Sequence, residues 1–399
     1  MLFRLEAKPM KVYPITAIER LNPSQVPDSL RDILARLVEA GHEAFCVGGS
    51  VRDLLMGRQV HDWDVTTSAE PKEVVALFPK VIKTGIEHGT VSVIVNKESF
   101  EVTTYRVDVG ASDGRHPDRV DFSRSLEEDL QRRDFTMNAI AWNPLNGHLV
   151  DPHDGRLDIE SGLIRAVGNA HERLSEDGLR SLRALRFKAV LGFELEDSLD
   201  RALCRTLDVF ERVSVERIWQ EMSKLLLGSC ASESISRLKS AGMWDRFWPS
   251  EAGVCLAGLN GLPLKLELRV AHLFRTCPHL FRAAAKAIKI PNRLMNSVVH
   301  LLECLGFDYG TGLEQIEVFR LRAKVGLDFV EDVGALAQAG IRGVFAQDVK
   351  QFIELIALPP YRGAPVSVSQ LAVDGRWILN EFNLKPSPKI GWLLNHCLE

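Results

Sequence analysis

The spacing of apolar and polar residues differs between the first 150 residues and the rest of the chain. Apolar positions recur at helical spacing over residues 28–40, and short strand-like runs follow at 43–49, 60–67, 90–95 and 99–105. Residues 106–123 combine glycines, a proline and many charges, which is typical of a loop. Residues 125–142 return to helical spacing. This alternation predicts a domain of mixed strands and helices for the N-terminal part of the chain.

The sequence beyond about residue 160 predicts helices only. Residues 171–192 and 214–228 have the pattern of long amphipathic helices, and breaks rich in Gly and Pro separate the helices that follow. We therefore expect an α+β fold in three parts: a head over residues 24–150, a helical neck over 151–230, and a helical body and tail over 231–399.

Composition narrows the class of protein. Of the 399 residues, 46% are hydrophobic and 26% are charged, as in ordinary globular proteins. The net charge of −4 argues against a role in coating polyanions. Seven cysteines without a CxxC pair predict reduced thiols and hence a cytoplasmic protein. No apolar run approaches the length of a membrane span, and the N-terminus lacks the apolar segment of a secretory signal.

The segment VGGSVRDLLMG, residues 47–57, predicts a strand that ends in two glycines before a short helix. Gly48 and Gly49 would let a phosphate approach the backbone, and the first helical turn would add N–H groups and Arg52. A tight turn that binds nothing is the other interpretation of such a segment.

The segment HDWDVTT, residues 61–67, indicates a cation site. If it is a strand, Asp62 and Asp64 lie on one face, because side chains alternate along a strand. Two such carboxylates suit Mg²⁺, which binds oxygen ligands together with substrate phosphates. Glu101, in the strand-like run SFEVTTY, is the candidate for a third carboxylate. Solvated acids on exposed strands are the alternative for all three.

These segments resemble the class II tRNA nucleotidyltransferase and bacterial poly(A) polymerase family, whose members are polymerase β-like nucleotidyltransferases. The likeness rests on GGSVRDLLMGRQVHDWDVTT, HGTVSV, EVTTYR, DGRHPD and EEDLQRRDFTMNAIAW, and it continues through SEDGLRSLRALRF and VSVERIWQEMSKLL. It weakens across 230–365 and returns faintly at the C-terminus, where many relatives run further, so we expect a short tail. The resemblance implies that the head is the catalytic part and that the helical body binds tRNA.

The resemblance also implies roles for the residues of the two segments described first. Asp62 and Asp64 would be the metal ligands, holding Mg²⁺. Gly49 and Arg52 would contact the triphosphate of the incoming nucleotide. Both roles agree with the chemistry expected from the residue types alone.

In the segment RRDFTMNA, the resemblance implies that Arg133 lies on the phosphates and Asp134 beside the ribose. A guanidinium group matches a phosphate, and a carboxylate accepts from a ribose hydroxyl. The alternative is an ion pair between an arginine and the aspartate, with Asn138 supporting the aspartate.

In the segment SEDGLRSLRALRF, charged residues recur every three positions at Asp177, Arg180, Arg183 and Arg186. A solvated helix face is the usual meaning of this pattern. The resemblance implies instead that Asp177 and Arg180 recognise the base of the incoming nucleotide without a nucleic-acid template, with Glu176 holding the arginine. Arg183 and Arg186 would contact phosphate or brace the helix.

One Asp–Arg pair can in principle select cytosine and adenine. Both bases carry an exocyclic amine that donates to a carboxylate, and both offer acceptors to an arginine on the same edge. Uracil and guanine carry a carbonyl where cytosine and adenine carry the amine. The pair would therefore accept CTP and ATP and refuse UTP and GTP.

The expected function is the template-independent addition of CCA to tRNA 3′ ends, from CTP and ATP with Mg²⁺ and with release of pyrophosphate. An A-adding enzyme or a poly(A) polymerase of the same family is the alternative. A catalytically silent RNA-binding protein is more distant, because the carboxylates and phosphate-binding arginines are all in place. The loop with DGRHPD resembles the family segment thought to help the switch from CTP to ATP, which argues against an enzyme that adds only CC. The sequence leaves the oligomeric state open.

Overall fold

The structure, a computed structural model, describes residues 12–13, 21–83, 85–109, 119–248, 254–310, 312–340, 344–365 and 368–398. The chain divides into two compact units, residues 1–221 with 240–243 and residues 222–239 with 244–399. The border falls within one helix, Val215–Leu226. The finer division into head, neck, body and tail stays a prediction.

The first unit is built on an eight-stranded mixed sheet. Its strands and the short strands beside it are β1 Val12–Tyr13, β2 Ala44–Val47, β3 Asp64–Thr67, β4 Val81–Ile82, β5 Thr90–Val95, β6 Glu98–Thr104, β7 Arg106–Val109, β8 Arg119–Phe122, β9 Ala141–Trp142, β10 Leu149–Val150, β11 Leu163–Ile164 and β12 Glu194–Leu195. The sheet has the order β1-β10-β9-β2-β3-β6-β5-β4, in which β3 and β6 are parallel and the other described pairs are antiparallel.

Ten helices lie in or border this unit, within the described residues. They are α1 Asp28–Glu39, α2 Gly49–Leu55, α3 Pro71–Leu77, α4 Leu126–Gln131, α5 Gly155–Glu160, α6 Ala170–Glu176, α7 Leu179–Leu191, α8 Asp197–Leu203, α9 Leu207–Phe210 and α10 Val215–Leu226. One buried cluster, which includes Val47, Tyr105, Leu130 and Ala141, joins strands of the sheet to α4. Burial of each large apolar side chain contributes about 1.5–3 kcal/mol, so this cluster fixes α4 against the sheet.

The strand predicted at 60–67 begins only at Asp64. Its antiparallel partner β2 pairs Val47 with Asp64 and then leaves the sheet at Gly48. Nothing on that side remains to pair with the residues before Asp64. The prediction that Asp62 and Asp64 share one face of a strand is therefore wrong, since Asp62 lies in the irregular segment that leads into β3.

Two predicted helices are shorter than their apolar spacing indicates. The helical pattern over 125–142 yields only α4, followed by a 3₁₀ turn at Thr136–Asn138 and then β9. The pattern over 171–192 is broken at Asp177 and Gly178 into α6 and α7. A Cβ atom at Gly178 would lie 2.5 Å from the Val209 carbonyl oxygen, so glycine is required where the chain changes direction.

The predicted loop over 106–123 is partly an antiparallel ribbon of β7 and β8. Residues 110–118, with the DGRHPD segment, lie outside the described residues. A further short parallel pair, β11 with β12, falls in the stretch for which the sequence predicts only helices. The hairpin of β5 and β6 was predicted, and its turn residues Asn96 and Lys97 both have positive φ, as two-residue hairpin turns of type I′ require.

The second unit contains helices and no strands among its described residues, which confirms the predicted helical body. Its helices are α11 Ala231–Ser240, α12 Leu266–Phe274, α13 Pro278–Ala287, α14 Asn292–Cys304, α15 Gln315–Val325, α16 Val330–Gly340, α17 Val344–Ile356, α18 Gly375–Glu381 and α19 Pro388–Leu398. Trp244, Trp248, Phe274 and Phe281 form a buried series of edge and tilted ring contacts in its core. In the part of the chain that is described, every helix is too short or too polar to cross a lipid bilayer.

Candidate active site

Three carboxylates lie together at one end of the parallel strand pair. Asp64 and Glu101 are in register on β3 and β6, so their side chains lie on the same face of the sheet. Asp62 is two residues before Asp64, and all three residues are exposed. Their side chains form no hydrogen bond or ion pair with a described residue, so these acids are available to a ligand.

The charges of these acids influence one another. Desolvation by the surrounding protein raises the pKa of Asp64, Arg133 lowers it, and the neighbouring carboxylates of Glu101 and Asp62 raise it further. The net direction is upward. A position where negative charge accumulates in this way favours a cation.

Gly48 brings the backbone close to the acidic edge, the name used here for the end of β3 and β6 that carries Asp62, Asp64 and Glu101. Its φ of 76° and ψ of −133° lie in a region that is open almost only to glycine. A Cβ atom on Gly48 would lie 3.4 Å from Arg133 Nη1 and 3.7 Å from Asp64 Oδ2. The glycine therefore lets the end of β2, the guanidinium group of Arg133 and the carboxylate of Asp64 converge. Gly49 begins α2.

Arg133 is held by a carboxylate that the sequence reasoning missed. Arg133 Nη2 donates to Asp129 Oδ2 at 2.9 Å, and the Nε and Nη2 atoms of Arg132 donate to Asp129 Oδ1 at 3.0 and 2.8 Å. Thr66 Oγ1 donates to Asp129 Oδ2 at 3.1 Å. Asp129 is fully buried, and although burial alone would raise its pKa, Arg133 and Arg132 lower it to about 2. The signal was the spacing of Asp129 three and four positions before the two arginines on a helix.

Arg52 is buried and held by protein groups. Its Nε and Nη2 atoms donate to Asp53 Oδ1 at 2.9 and 2.8 Å, and its Nη1 atom donates to Asn138 Oδ1 at 2.7 Å. The same Asn138 donates from Nδ2 to Asp134 Oδ1 at 3.1 Å. Asn138 thus connects the arginine of the glycine segment to the aspartate of RRDFTMNA, in the supporting role expected of it.

Asp134 accepts two hydrogen bonds from Arg183, whose Nε and Nη2 atoms lie 2.8 and 2.6 Å from Asp134 Oδ2. Burial alone would raise the pKa of Asp134, but Arg183 and Asn138 lower it well below the usual value. The alternative of an internal Arg–Asp pair is thus realised in the structure, with Arg183 as the partner. Asp134 Oδ1 also accepts from the Phe135 N–H at 2.8 Å. With the bonds from Asn138 and Arg183, the carboxylate accepts four hydrogen bonds within the protein, which is about its full capacity.

Arg183 and Arg186 brace α7. Arg186 Nε lies 2.7 Å from Glu221 Oε2, and Arg183 Nη1 lies 3.6 Å from Glu221 Oε1. Both guanidinium groups lie over the ring of Phe187, with the Arg186 carbon 3.9 Å from its centroid. Burial lowers the pKa of Arg186 to about 10. Glu221 was not singled out from the sequence.

Asp177 lies at the break between α6 and α7, in extended backbone. Its Oδ1 atom accepts from the Leu179 N–H at 3.0 Å, and its Oδ2 atom accepts from Arg217 Nη2 at 2.7 Å. Arg217 comes from α10, forty residues away along the chain. Sequence reasoning noted the segment VSVERIWQEMSKLL but assigned Arg217 no role.

Arg180 is held by Glu176, as expected. Arg180 Nη1 donates to Glu176 Oε2 and, at 2.8 Å, to the Arg173 carbonyl, and Arg180 Nη2 donates to the Arg132 carbonyl at 3.1 Å. Glu176 also accepts from Arg173 Nη1 at 2.7 Å. The bond to the Arg132 carbonyl joins the candidate base-reading arginine to the peptide directly before Arg133.

The fold and the site define a nucleotidyltransferase of the poly(A) polymerase type. Residues 44–165 match the family model of the poly(A) polymerase head domain, and residues 192–252 match the model of the probable RNA- and SrmB-binding site of polymerase A. These ranges cover the acidic edge and the Asp177-binding helix α10. They confirm the resemblance inferred from the sequence motifs.

Three relatives identify the family more narrowly. The CCA-adding enzyme of Lactobacillus delbrueckii subsp. bulgaricus is 36% identical over 379 residues, 92% of this chain and 91% of that protein. The CCA-adding enzyme of Lactococcus lactis is 34% identical over 381 residues, 91% of this chain and 90% of that protein. The structure of the Bacillus stearothermophilus CCA-adding enzyme in complex with CTP has a TM-score of 0.76 at 32% identity and covers 94% and 92% of the two chains. The chain therefore belongs to the CCA-adding enzyme family of tRNA nucleotidyltransferases.

Proposed function

We propose that this protein adds C, C and A to tRNA 3′ ends, with CTP and ATP as substrates and pyrophosphate as the product. The observation that carries the proposal is the free acidic edge of Asp62, Asp64 and Glu101 beside Gly48 and Arg133. The relatives that cover nine-tenths of this chain are named CCA-adding enzymes, which disfavours the A-adding and poly(A) alternatives. The proposed substrate places the protein in the cytoplasm with tRNA.

The residues of the acidic edge fit Mg²⁺. Among the described residues no three His, Cys, Asp or Glu side chains form a complete metal cage. Mg²⁺ is ordinarily bound by one or two carboxylates together with substrate phosphates and water, and exposed, unpaired Asp62 and Asp64 meet that requirement. Mg²⁺ bound there would neutralise phosphate charge and make the 3′ hydroxyl a better nucleophile. Glu101 would be the third carboxylate of the edge.

In the reaction the 3′ hydroxyl oxygen of the RNA forms a bond to the α-phosphorus of the nucleotide. The bond from that phosphorus to the β-phosphate oxygen breaks, pyrophosphate leaves, and the hydroxyl proton is lost. Arg133 would contact the triphosphate, since its guanidinium group borders Gly48 and the acidic edge. Asp129, buried behind it, would fix the orientation of that guanidinium group.

Base selection would rest on Asp177 and Arg180. Asp177 uses one acceptor position of each oxygen within the protein, so acceptor positions remain for the exocyclic amine of cytosine or adenine. Arg180, fixed by Glu176 and the Arg132 carbonyl, would donate to the ring acceptor on the same base edge. Three further arginines would support this arrangement through the groups that hold them. Arg52 is held by Asp53 and Asn138. Arg183 is held by Asp134 and Glu221, and Arg186 by Glu221.

The deciding experiment offers the purified protein three RNAs with each nucleoside triphosphate separately. The RNAs are a tRNA that ends at the discriminator base, the same tRNA ending in CC, and an unrelated RNA of equal length. The proposal expects C incorporation on the first, a single A on the second and little addition to the third. Addition of A alone, or of long A tracts to the unrelated RNA, would show one of the alternatives to be correct.

A further inference from the structure

One aromatic ring lies among three arginines that come from two separate helices of the first unit. Phe187, on α7, is 4% exposed. The guanidinium carbon of Arg186 lies 3.9 Å from the centroid of this ring, that of Arg52 lies 5.0 Å away and that of Arg183 lies 5.6 Å away. All three distances fall within the range of about 6 Å over which the negative face of an aromatic ring attracts a cation. The ring therefore connects Arg52 on α2 with the two arginines of α7.

The three arginines lie close together although their charges repel one another. Burial lowers the pKa of Arg186 to about 10, Glu221 opposes the decrease, and the positive charges of Arg183 and Arg52 add to it. Among the described residues, no carboxylate forms an ion pair with all three guanidinium groups. The ring of Phe187, in contrast, is in contact with each of them.

A second aromatic side chain fixes the orientation of this ring. Phe135 is fully buried, and its ring meets that of Phe187 edge to face, with the centroids 5.7 Å apart and the planes at 86°. Aromatic pairs prefer this arrangement. Because both side chains are buried in a close-packed interior, the ring of Phe187 has little room to turn away from the arginines.

Arg52 presents its remaining donors next to the glycine segment. A Cβ atom on Gly49 would lie 3.5 Å from Arg52 Nη2 and 4.0 Å from Arg52 Nη1. The Nε atom and one N–H of each Nη atom donate to Asp53 and Asn138. The second N–H of each Nη atom forms no hydrogen bond with a described residue, so it is available to a phosphate group beside Gly49.

We infer that Phe187 is a positioning residue for nucleotide binding, because its ring holds the guanidinium group of Arg52 beside Gly49. The inference rests on the proposed function for the role of Arg52 as a contact of the triphosphate. Since CTP and ATP share the triphosphate, the ring should influence the affinity for both nucleotides to the same extent. It should leave the choice of base unchanged, because neither Asp177 nor Arg180 is among its ring or cation partners in the described part of the chain.

The test replaces the phenylalanine at position 187 by phenylalanines that carry one, two or three fluorine atoms. Fluorine withdraws electron density from the face of the ring, which weakens its attraction for a cation and nearly preserves its shape. We expect the Kd values for CTP and ATP, measured with Mg²⁺ and without RNA, to rise step by step, by about three- to tenfold for three fluorine atoms. The ratio of kcat/KM for CTP over UTP should stay constant. The same series at Phe193 is the control, since this buried ring of the first unit has no ring or cation contact with a described residue.

Equal Kd values across the fluorinated series would overturn the inference, because they would show that the ring only fills space. A lower preference for CTP over UTP with unchanged affinity for ATP would also overturn it and would place the ring in base selection. Phe187→Leu supplies a second readout, since it should raise both Kd values more than Phe193→Leu does, whereas a purely structural role would lower Tm without changing either Kd. A wild-type protein that binds CTP and ATP but adds neither to tRNA would overturn the proposed function, and the fluorinated series would still decide the role of Phe187.

Discussion

The acids of the sheet edge and the acids of the following helices are used in opposite ways. Asp62, Asp64 and Glu101 are exposed and form no hydrogen bond or ion pair with a described residue. Asp134 and Asp177 are each bound to an arginine from a distant part of the chain. The comparison shows that the first group keeps its acceptor positions open, whereas Asp134 and Asp177 are fixed in place by arginines.

The largest expected effect is the loss of catalytic activity when Asp62 or Asp64 is replaced. Asp62→Ala or Asp64→Ala should lower kcat/KM for CTP by on the order of 10³-fold or more, because a metal site supplies several kcal/mol of transition-state stabilisation. The free energy of unfolding should change by less than about 0.5 kcal/mol, since exposed residues without partners are being replaced. Single-turnover kinetics and thermal unfolding measure the two quantities. Glu98→Ala, an exposed acid at the start of the same strand β6, is the control, and retained turnover in Asp62→Ala would remove the metal assignment.

Replacing an acid that is paired with arginines should mainly lower stability, in contrast to the exposed acids. Asp129 is the most buried of the paired acids discussed above. Asp129→Asn leaves two arginines with a weakened partner, so it should lower the free energy of unfolding by about 3–5 kcal/mol. It should also raise the KM for CTP and ATP through Arg133. Denaturant unfolding measures the first effect, with Asp28→Asn, which loses an exposed ion pair to Arg31, as the near-neutral control. Equal losses in the two variants would contradict the role of burial.

The lowered pKa of Asp129 predicts that the stability gained from this residue depends on pH. The folded-state pKa of Asp129 is about 2, below the ordinary value of 3.8, so the unfolded chain takes up its proton first as pH falls. The stabilisation is complete above about pH 4 and is lost between about pH 4 and 2. The difference in unfolding free energy between wild type and Asp129→Asn should therefore be constant near neutrality and shrink across that acidic range. A difference that grows on acidification would contradict the sign of the shift.

A smaller effect is expected on base choice. Asp177→Ala should reduce the preference for CTP over UTP, expressed as a ratio of kcat/KM, by about ten- to a hundredfold, since a good contact to a base edge discriminates by about 1–3 kcal/mol. Competition assays with labelled nucleotides measure the ratio. Asp197→Ala, which removes an exposed acid from the first turn of α8, is the control. An unchanged preference in Asp177→Ala would remove the base-reading assignment.

The smallest effect should come from the partner of Asp177. Arg217→Met leaves the carboxylate in place but frees one of its oxygens, so the preference for CTP over UTP should fall by roughly three- to tenfold. Arg217→Lys should restore part of it. A role confined to stability would lower Tm without changing the ratio, and that result would show that Arg217 does not position Asp177.

Local patterns in the sequence predicted many of the elements but not the partners of the site residues. The short strand Ala44–Val47, the glycine segment and the hairpin turn at Asn96 and Lys97 follow from local spacing and turn chemistry. The start of β3 could not be predicted, because it depends on where the neighbouring strand leaves the sheet.

The ion pairs of Asp134 and Asp177 could not be predicted either, because their partners are distant in the sequence. Arg183 lies 49 residues from Asp134 and Arg217 lies 40 residues from Asp177, and one sequence offers no signal for such pairings. Asp129 was the exception, since its two arginines lie within one helical turn. Residue types and spacing predicted the acids and the glycine segment as candidates, and the family resemblance added Arg133, Asp134, Asp177 and Arg180. Their contacts in the structure explain how each would be oriented.

Gly178 would limit attempts to redesign the proposed base selection by Asp177 and Arg180. A residue larger than glycine at this corner would collide with the backbone of Val209 and Phe210, and at the same corner Asp177 leaves the helical conformation. Substitutions at Asp177 and Arg180 alone would change the groups proposed to select the base and leave this corner unchanged. Any variant of the proposed Asp177–Arg180 pair would therefore have to keep glycine at position 178, since the atoms it faces are backbone atoms that substitution at Val209 or Phe210 leaves in place.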